Sequence, residues 1–333
     1  MRVARVARSV RISARVILAA LVVAVLGAAG ALLAPAASAQ APMSDAADGG
    51  PIEATSSIIL TNVSGLDLAA GTFNATFYLS ITCSSPCAAE DWELVNARSS
   101  TRTLASEEGL TTWWLVLGTF TFSPDLRLFP FDTQYLPIQI EHQVLDADQL
   151  AFVADPQASE VTTDVVVPGW QKEDFTLTSS TAEYTSLQTD YSRLTFTLPV
   201  TRSTLASVTK FYIPLAIFIL LGAATLVLSR NDYQIRTGGT ALLGLTVFYL
   251  ATSGGVGFSG ALSVWDASVL LGYLALGLVL TCGIVGSYRF NEGVYDGPDG
   301  QVLNKRMRFR FLYGLIALVV VGSIAIAATA LLT

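Results

Sequence analysis

The C-terminal third of the chain contains four stretches without a charged residue, at 211–229, 237–265, 267–288 and 311–333. Each supplies the ~20 residues that an apolar helix needs to cross a bilayer. Backbone groups find no water in lipid, so these stretches are expected as helices, over about 207–229, 235–257, 264–288 and 309–332. A fifth apolar stretch, 16–33, lies at the other end of the chain, behind five arginines and ahead of Ala37-Ser38-Ala39. That order of basic, apolar and small residues is the layout of a secretory signal peptide over 1–39, cleaved after Ala39. A retained N-terminal anchor is the alternative.

Between these ends the pattern changes to short runs of β-branched and aromatic residues, at 57–63, 72–82, 112–122, 134–140, 174–178 and 193–200. Several alternate apolar with polar, as FNATFYLSI and RLTFTLPV do, and Gly, Pro, Asp and Ser clusters separate them. Many short strands at this spacing predict an antiparallel β-sandwich over 40–204. The expected fold class is therefore β plus membrane α: an extracellular antiparallel sandwich followed by a four-helix transmembrane domain over 205–333.

Charge adds a direction. Only 14% of the 333 residues are charged, against about 25% in an ordinary soluble domain. From Gln40 to Thr209 there are 21 acidic and 6 basic residues, and from Lys210 onward 5 acidic and 8 basic. Arg230 and Arg236 follow the first span, and Arg289, Lys305, Arg306, Arg308 and Arg310 follow the third. Positive joints lie on the cytoplasmic side, which puts the acidic domain outside, as does a signal peptide. The acidic balance argues against nucleic acid as a partner. Three cysteines and one histidine leave little for a metal centre, and no P-loop, dinucleotide fingerprint or Ser/His/Asp set is present, so neither an enzyme nor a cofactor is expected. In the exported domain Cys83 and Cys87 are either a small-loop disulfide or two free thiols. His142 is either a proton sensor or an ordinary surface residue.

The second span differs from the others. At 100° per residue, Arg236, Thr240, Leu243, Val247, Leu250 and Gly254 fall within about 40° of one line. The line begins cationic, passes a hydroxyl and continues aliphatic, with small residues on the flanking faces that permit close helix approach. Several copies around an axis would enclose a pore whose apolar middle gates by dewetting. The other reading is a small-residue packing face inside a helix bundle. Asp232 would put an acidic ring at the cytoplasmic mouth of such a pore, whereas Arg236 would repel cations unless it pairs with Asp232 or reaches the interface. The acidic outer domain favours cations.

The segment Asp125-Leu126-Arg127-Leu128-Phe129-Pro130-Phe131-Asp132-Thr133-Gln134 resembles the signature of the pentameric ligand-gated ion channels, the Cys-loop receptor superfamily, in its bacterial form without the loop cysteines. Other elements follow in that family's order: Gly65-Leu66-Asp67 before Thr72-Phe73, Gly169-Trp170 before Phe175, Arg202 after RLTFTLPV, Pro214, and the segment TALLGLTVFYLATS. The likeness runs from about Ile52 to the end of the chain. The chain departs from the family between Ile81 and Asp125, which is short by a strand or two and carries CSSPC where a tryptophan motif is usual.

The resemblance implies a homopentamer of identical subunits in the cell membrane, in contact with lipids, permeant ions and a small-molecule agonist of unknown identity. It implies that Phe129, Pro130 and Phe131 press on the membrane domain, and that Asp132, Arg202 and Asp67 form a charged gating interface. Such an ion pair is either a latch that changes between states or a static structural pair. It also offers Trp92, Tyr184 and Tyr191 as ligand-site aromatics for a cationic agonist, or else as packing residues. From a different class, the alternative is a membrane-anchored sensory or adhesion protein that conducts nothing.

Overall fold

The computed structural model describes residues 50–186, 188–227, 231–254, 256 and 262–332. The leader at 1–39 and the tail of the second span beyond Gly254, except Val256, lie outside the described residues. Two units emerge from the chain. One is all-β and comprises residues 50–125 and Asp132–Ser203; the other is helical and comprises Leu126–Phe131 and the residues from Thr204 onward.

The β unit has eleven strands: β1 (Ile52–Asp67), β2 (Thr72–Cys83), β3 (Trp92–Leu94), β4 (Ala97–Glu108), β5 (Thr111–Thr121), β6 (Thr133–His142), β7 (Leu150–Ala154), β8 (Glu160–Val161), β9 (Trp170–Lys172), β10 (Thr176–Tyr184) and β11 (Thr189–Arg202). They form two sheets. The first runs β4-β5-β2-β1-β7 with β8 also on β1; the second runs β10-β11-β6-β3 with β9 also on β11. Along β11, Ser192, Leu194, Phe196, Leu198 and Val200 are buried at every second position, because successive side chains point to opposite faces. Gln134, Leu136, Ile138 and Ile140 of β6 do the same. With Phe73, Phe77 and Phe120 from the first sheet, these aliphatic and aromatic residues make one core.

Two expectations need correction. The sandwich is antiparallel-rich but mixed, since β1 pairs in parallel with both β7 and β8. The chain leaves β6 in the second sheet and returns to the first, and this crossing brings β7 alongside β1 in the same direction. β4 was not anticipated. Its residues ARSSTRTLASEE are exposed almost throughout, so no apolar alternation marks it, and its charges suit an edge strand that must not pair with another chain.

His142 is buried, not superficial. Its Nδ1 accepts the backbone N–H groups of Val144 and Leu145 at 3.2 and 3.0 Å. The proton therefore sits on Nε2, which faces the carbonyls of Cys87 and Ala88 at 3.3 Å each. Cys83 and Cys87 are disulfide-bonded in the same corner.

In the helical unit a turn (Thr204–Ser207) and a π-helical turn (Val208–Tyr212) lead into α1 (Ile213–Val227), followed by α2 (Asn231–Ser253), α3 (Val264–Asn291) and α4 (Gly297–Leu332). Among the described residues three helices are long and apolar enough to cross a membrane: Thr204–Val227, Val264–Asn291 and Gly297–Ala330. Three of the four expected spans thus meet that measure among the described residues, and the described part of the second does not. α2 is a full helix in the expected place, but its threonines, glycines, Asp232 and Arg236 set it apart. α4 begins well before the expected 309, so the basic stretch after α3 is largely helical.

Glycines set the helix spacing. A Cβ on Gly283 of α3 would lie 2.9 Å from the Gln234 side chain and 3.1 Å from the backbone nitrogen of Ile235 in α2. Backbone cannot yield as a side chain end can. Gly283→Leu is expected to destabilise the bundle by roughly 1–3 kcal/mol through overpacking, seen as a lower melting temperature of the detergent-solubilised protein.

Candidate functional site

Four groups of residues carry the sequence expectations. The first is the loop Leu126–Phe131. Two successive turns shape it, with Phe129 N–H donating to Leu126 C=O at 3.1 Å and Phe131 N–H to Leu128 C=O at 2.8 Å. The two phenylalanine rings are wedges. Phe129 meets Phe211 edge-on at 5.2 Å, and Phe131 stacks on Tyr212 at 5.5 Å. Phe211 and Tyr212 in turn meet Trp265 of α3, which meets Phe248 of α2 at 5.8 Å. Each such pair contributes ~0.5–1.5 kcal/mol beyond its buried area.

The loop backbone also caps α3. The first N–H groups of a helix have no intrahelical acceptor. Here Val264 N–H donates to Arg127 C=O and Trp265 N–H to Phe129 C=O, both at 3.0 Å. The next, Asp266 N–H, donates to the Ser263 hydroxyl in a capping box. Pro130 C=O accepts the Ser207 hydroxyl at 2.7 Å. Asp266 accepts from Tyr249 of α2 at 2.9 Å. The loop is thus tied to the lead-in of α1 and the start of α3, and Asp266 ties α3 to α2. Ser207, Trp265, Asp266 and Tyr249 were absent from the sequence expectations. The hydrophobic pattern marks Ser207, Trp265 and Asp266 only as ends of spans, and Tyr249 only as one residue within the second.

The second group is the ion pair in the β unit. Arg202 Nε donates to Asp132 Oδ1 at 2.9 Å, and the Arg202 backbone N–H donates to Asp132 C=O at 3.2 Å. The Asp132 side chain is 1% exposed and that of Arg202 19%. Gln134 Nε2 reaches Asp132 Oδ2 at 2.7 Å and Asp125 C=O at 2.8 Å. Trp170 of β9 lies opposite Arg202 of β11, with the guanidinium 4.2 Å from the centre of its ring. Four residues of the family-like motifs, Asp132, Gln134, Trp170 and Arg202, therefore meet in one corner. Asp67 stands at the turn after β1, where its carboxylate accepts Ala70 N–H at 2.9 Å.

The third group is the β10–β11 hairpin. Tyr184 and Tyr191 meet edge-on at 5.8 Å. The Tyr184 hydroxyl donates to Glu141 Oε2 at 3.0 Å and accepts from Arg193 at 3.1 Å, while Arg193 and the buried Glu141 form an ion pair. Burial first, then the bond to Glu141 and its negative charge, push the Tyr184 phenol above its ordinary 10.0; Arg193 opposes this. A raised value in the folded chain favours the protonated donor. Its contribution to stability is therefore complete below pH 10 and is lost as the pH rises through the raised value. Tyr184→Phe, which removes a hydroxyl from a charged network, is expected to lower stability by about 1–2 kcal/mol at pH 7. That loss should shrink in unfolding titrations repeated above pH 10. Trp92 lies elsewhere: it is buried in the core, with Arg102 of β4 4.8 Å above its ring. Its place as a ligand-site aromatic is taken from within the chain.

The fourth group is α2. Gln234, Gly238, Ala241 and Leu245 form its buried face. Arg236, Thr240, Leu243, Val247, Leu250 and Gly254 are all exposed, the three aliphatic residues by 67%, 61% and 63%. Asp232 lines a cleft with the end of α3 and the start of α4. Among the described residues, no group of His, Cys, Asp or Glu is arranged to hold a metal ion. No protein-family model and no curated protein matches this chain. The family likeness accordingly rests on the motif residues described above.

Proposed function

We propose that this chain is the subunit of a homopentameric, ligand-gated ion channel in the cell membrane. Its β unit lies outside, and α2 crosses the membrane as the lining of the pore. The carrying observation is the two-sided α2: Gln234, Gly238, Ala241 and Leu245 turn inward, and a stripe running from cation through hydroxyl to aliphatic turns outward. A helix needing only to anchor a domain has no use for that sorting, and three other helices already suffice for anchorage. Five such stripes around an axis give an aqueous path with an apolar constriction at Leu243, Val247 and Leu250.

Gating follows from the chain's continuity. The peptide runs from Phe131 directly into Asp132, and from Arg202 through Ser203 into Thr204. Agonist capture near the Tyr184–Tyr191 hairpin strains the second sheet, whose β6 and β11 carry Asp132 or its neighbour and Arg202 at their ends. The pair transmits that strain to the FPF loop and the lead-in of α1. The loop's bonds to α3, and the Tyr249–Asp266 bond, pass it to α2. The acidic exterior concentrates cations at the mouth, and cations are the proposed permeant ions.

The test is conductance of the purified protein in planar bilayers, with particle symmetry by electron microscopy. Fivefold particles that conduct support the proposal. A monomer or dimer without conductance favours the anchored sensory or adhesion protein, and a reversal potential following chloride overturns cation selectivity.

A further inference from the structure

A cleft of about 760 Å³ opens beside the end of α3 and the start of α4, and its wall includes Asp232, Ser287, Tyr295, Asn304, Lys305 and Arg308. Arg308 is only 5% exposed, and its Nε and Nη1 atoms are buried with no hydrogen-bond partner. A guanidinium in this condition is expensive: two donors and a full charge have left water without an acceptor. The Asn304 Oδ1 beside it is likewise buried and unpartnered. An unmet cationic fork calls for an oxyanion, and Lys305 adds a second positive charge. An unmet amide carbonyl calls for a hydroxyl donor.

Position narrows the choice. Arg308 precedes the uncharged run that starts at Phe311 by three residues, about 4.5 Å of helix rise. If α4 crosses the membrane, that is the level of the lipid headgroups. We infer that this cleft binds the phosphoglycerol headgroup of an anionic lipid, with the phosphate on Arg308 and Lys305 and a glycerol hydroxyl on Asn304. Asp232 belongs to the same wall, so the bound headgroup touches the first turn of α2. The inference rests on membrane insertion of α3 and α4 and not on conduction. It fails or holds by binding alone.

The full-length protein, in nanodiscs of phosphatidylcholine with or without phosphatidylglycerol, is melted and its retained lipid weighed by native mass spectrometry. Phosphatidylglycerol is expected to raise the melting temperature and stay bound. Arg308→Gln and Lys305→Gln should each weaken retention about tenfold, which is ~1.4 kcal/mol, while Arg310→Gln should not. Should Arg308→Gln fail to fold, Lys305→Gln decides. Equal behaviour of both lipid mixtures overturns the inference, as does equal weakening by Arg310→Gln, which would mark diffuse surface charge. Glycerol 3-phosphate serves as the soluble arm: a shift equal to the lipid's would assign the site to a free phosphate ester and overturn the lipid.

Discussion

Leu243→Ser is expected to leave the protein conducting without agonist. Leu243 stands at the centre of the outward stripe of α2, one turn from Val247, and both project from the bundle. In the proposed pentamer five leucines converge at this level, and a narrow apolar ring expels water and blocks ions without a physical plug. Each leucine buried in such a ring contributes ~1.5–3 kcal/mol of apolar burial, so five serines remove several kcal/mol from the closed state. A change of about 5.5 kcal/mol carries a two-state equilibrium from 1:99 to 99:1. The check is bilayer current from Leu243→Ser in the absence of any ligand, beside the unaltered protein. If the stripe instead faces lipid, serine adds no leak and the pore assignment is lost. Cysteines placed along Arg236–Gly254 provide the companion measurement, with water-borne thiol reagents reaching them only in a hydrated pore.

Arg202→Ala is expected to abolish agonist-evoked current and to destabilise the β unit by about 3–5 kcal/mol, the cost of leaving a buried charge without its partner. Asp132 is almost wholly enclosed, and Arg202 is its principal cation. The backbone bond between the two residues survives the substitution, so the corner keeps part of its shape. The double variant Asp132→Asn, Arg202→Gln separates the two effects. Removing both charges should restore most of the stability, because no charge is left stranded, yet currents should stay absent if the pair works as a latch. Denaturant unfolding measures the first quantity and agonist-evoked current the second. Normal currents from either variant would reduce the pair to a static tie.

The regular elements were readable where burial follows a simple period. RLTFTLPV alternates without interruption, and β11 buries every second residue along its central stretch. The outward stripe of α2 followed from the 100° rotation of a helix, and all six residues on it are exposed, as are Asp232, Tyr233, Thr246 and Ala251 beside it. β4 was unreadable because an edge strand with both faces in solvent needs no apolar pattern. Trp92 misled because an isolated aromatic carries no information about which side of a sheet it faces. Gln134 sits at an inward position of β6 among Leu136, Ile138 and Ile140, and a polar residue in that register was a usable sign of a buried network.

The conjunction of FPFD with Arg202 entered through the family resemblance alone, whereas by itself the sequence determined the division into a β-rich acidic part and an apolar helical part, and the strand and helix periods. These are local or composition-level properties, set by hydropathy and backbone geometry. Only the tertiary structure decided that the backbone of the FPF loop caps α3, that Trp170 and Gln134 complete the Asp132–Arg202 corner, that His142 is spent on backbone bonds, and that Arg308 is buried without a partner. The capping of α3 and the approach of Trp170 to Arg202 join residues far apart in the chain, and the burial of His142 and Arg308 depends on what packs over them. Such meetings depend on how faces pack, and no periodicity along a single segment encodes them.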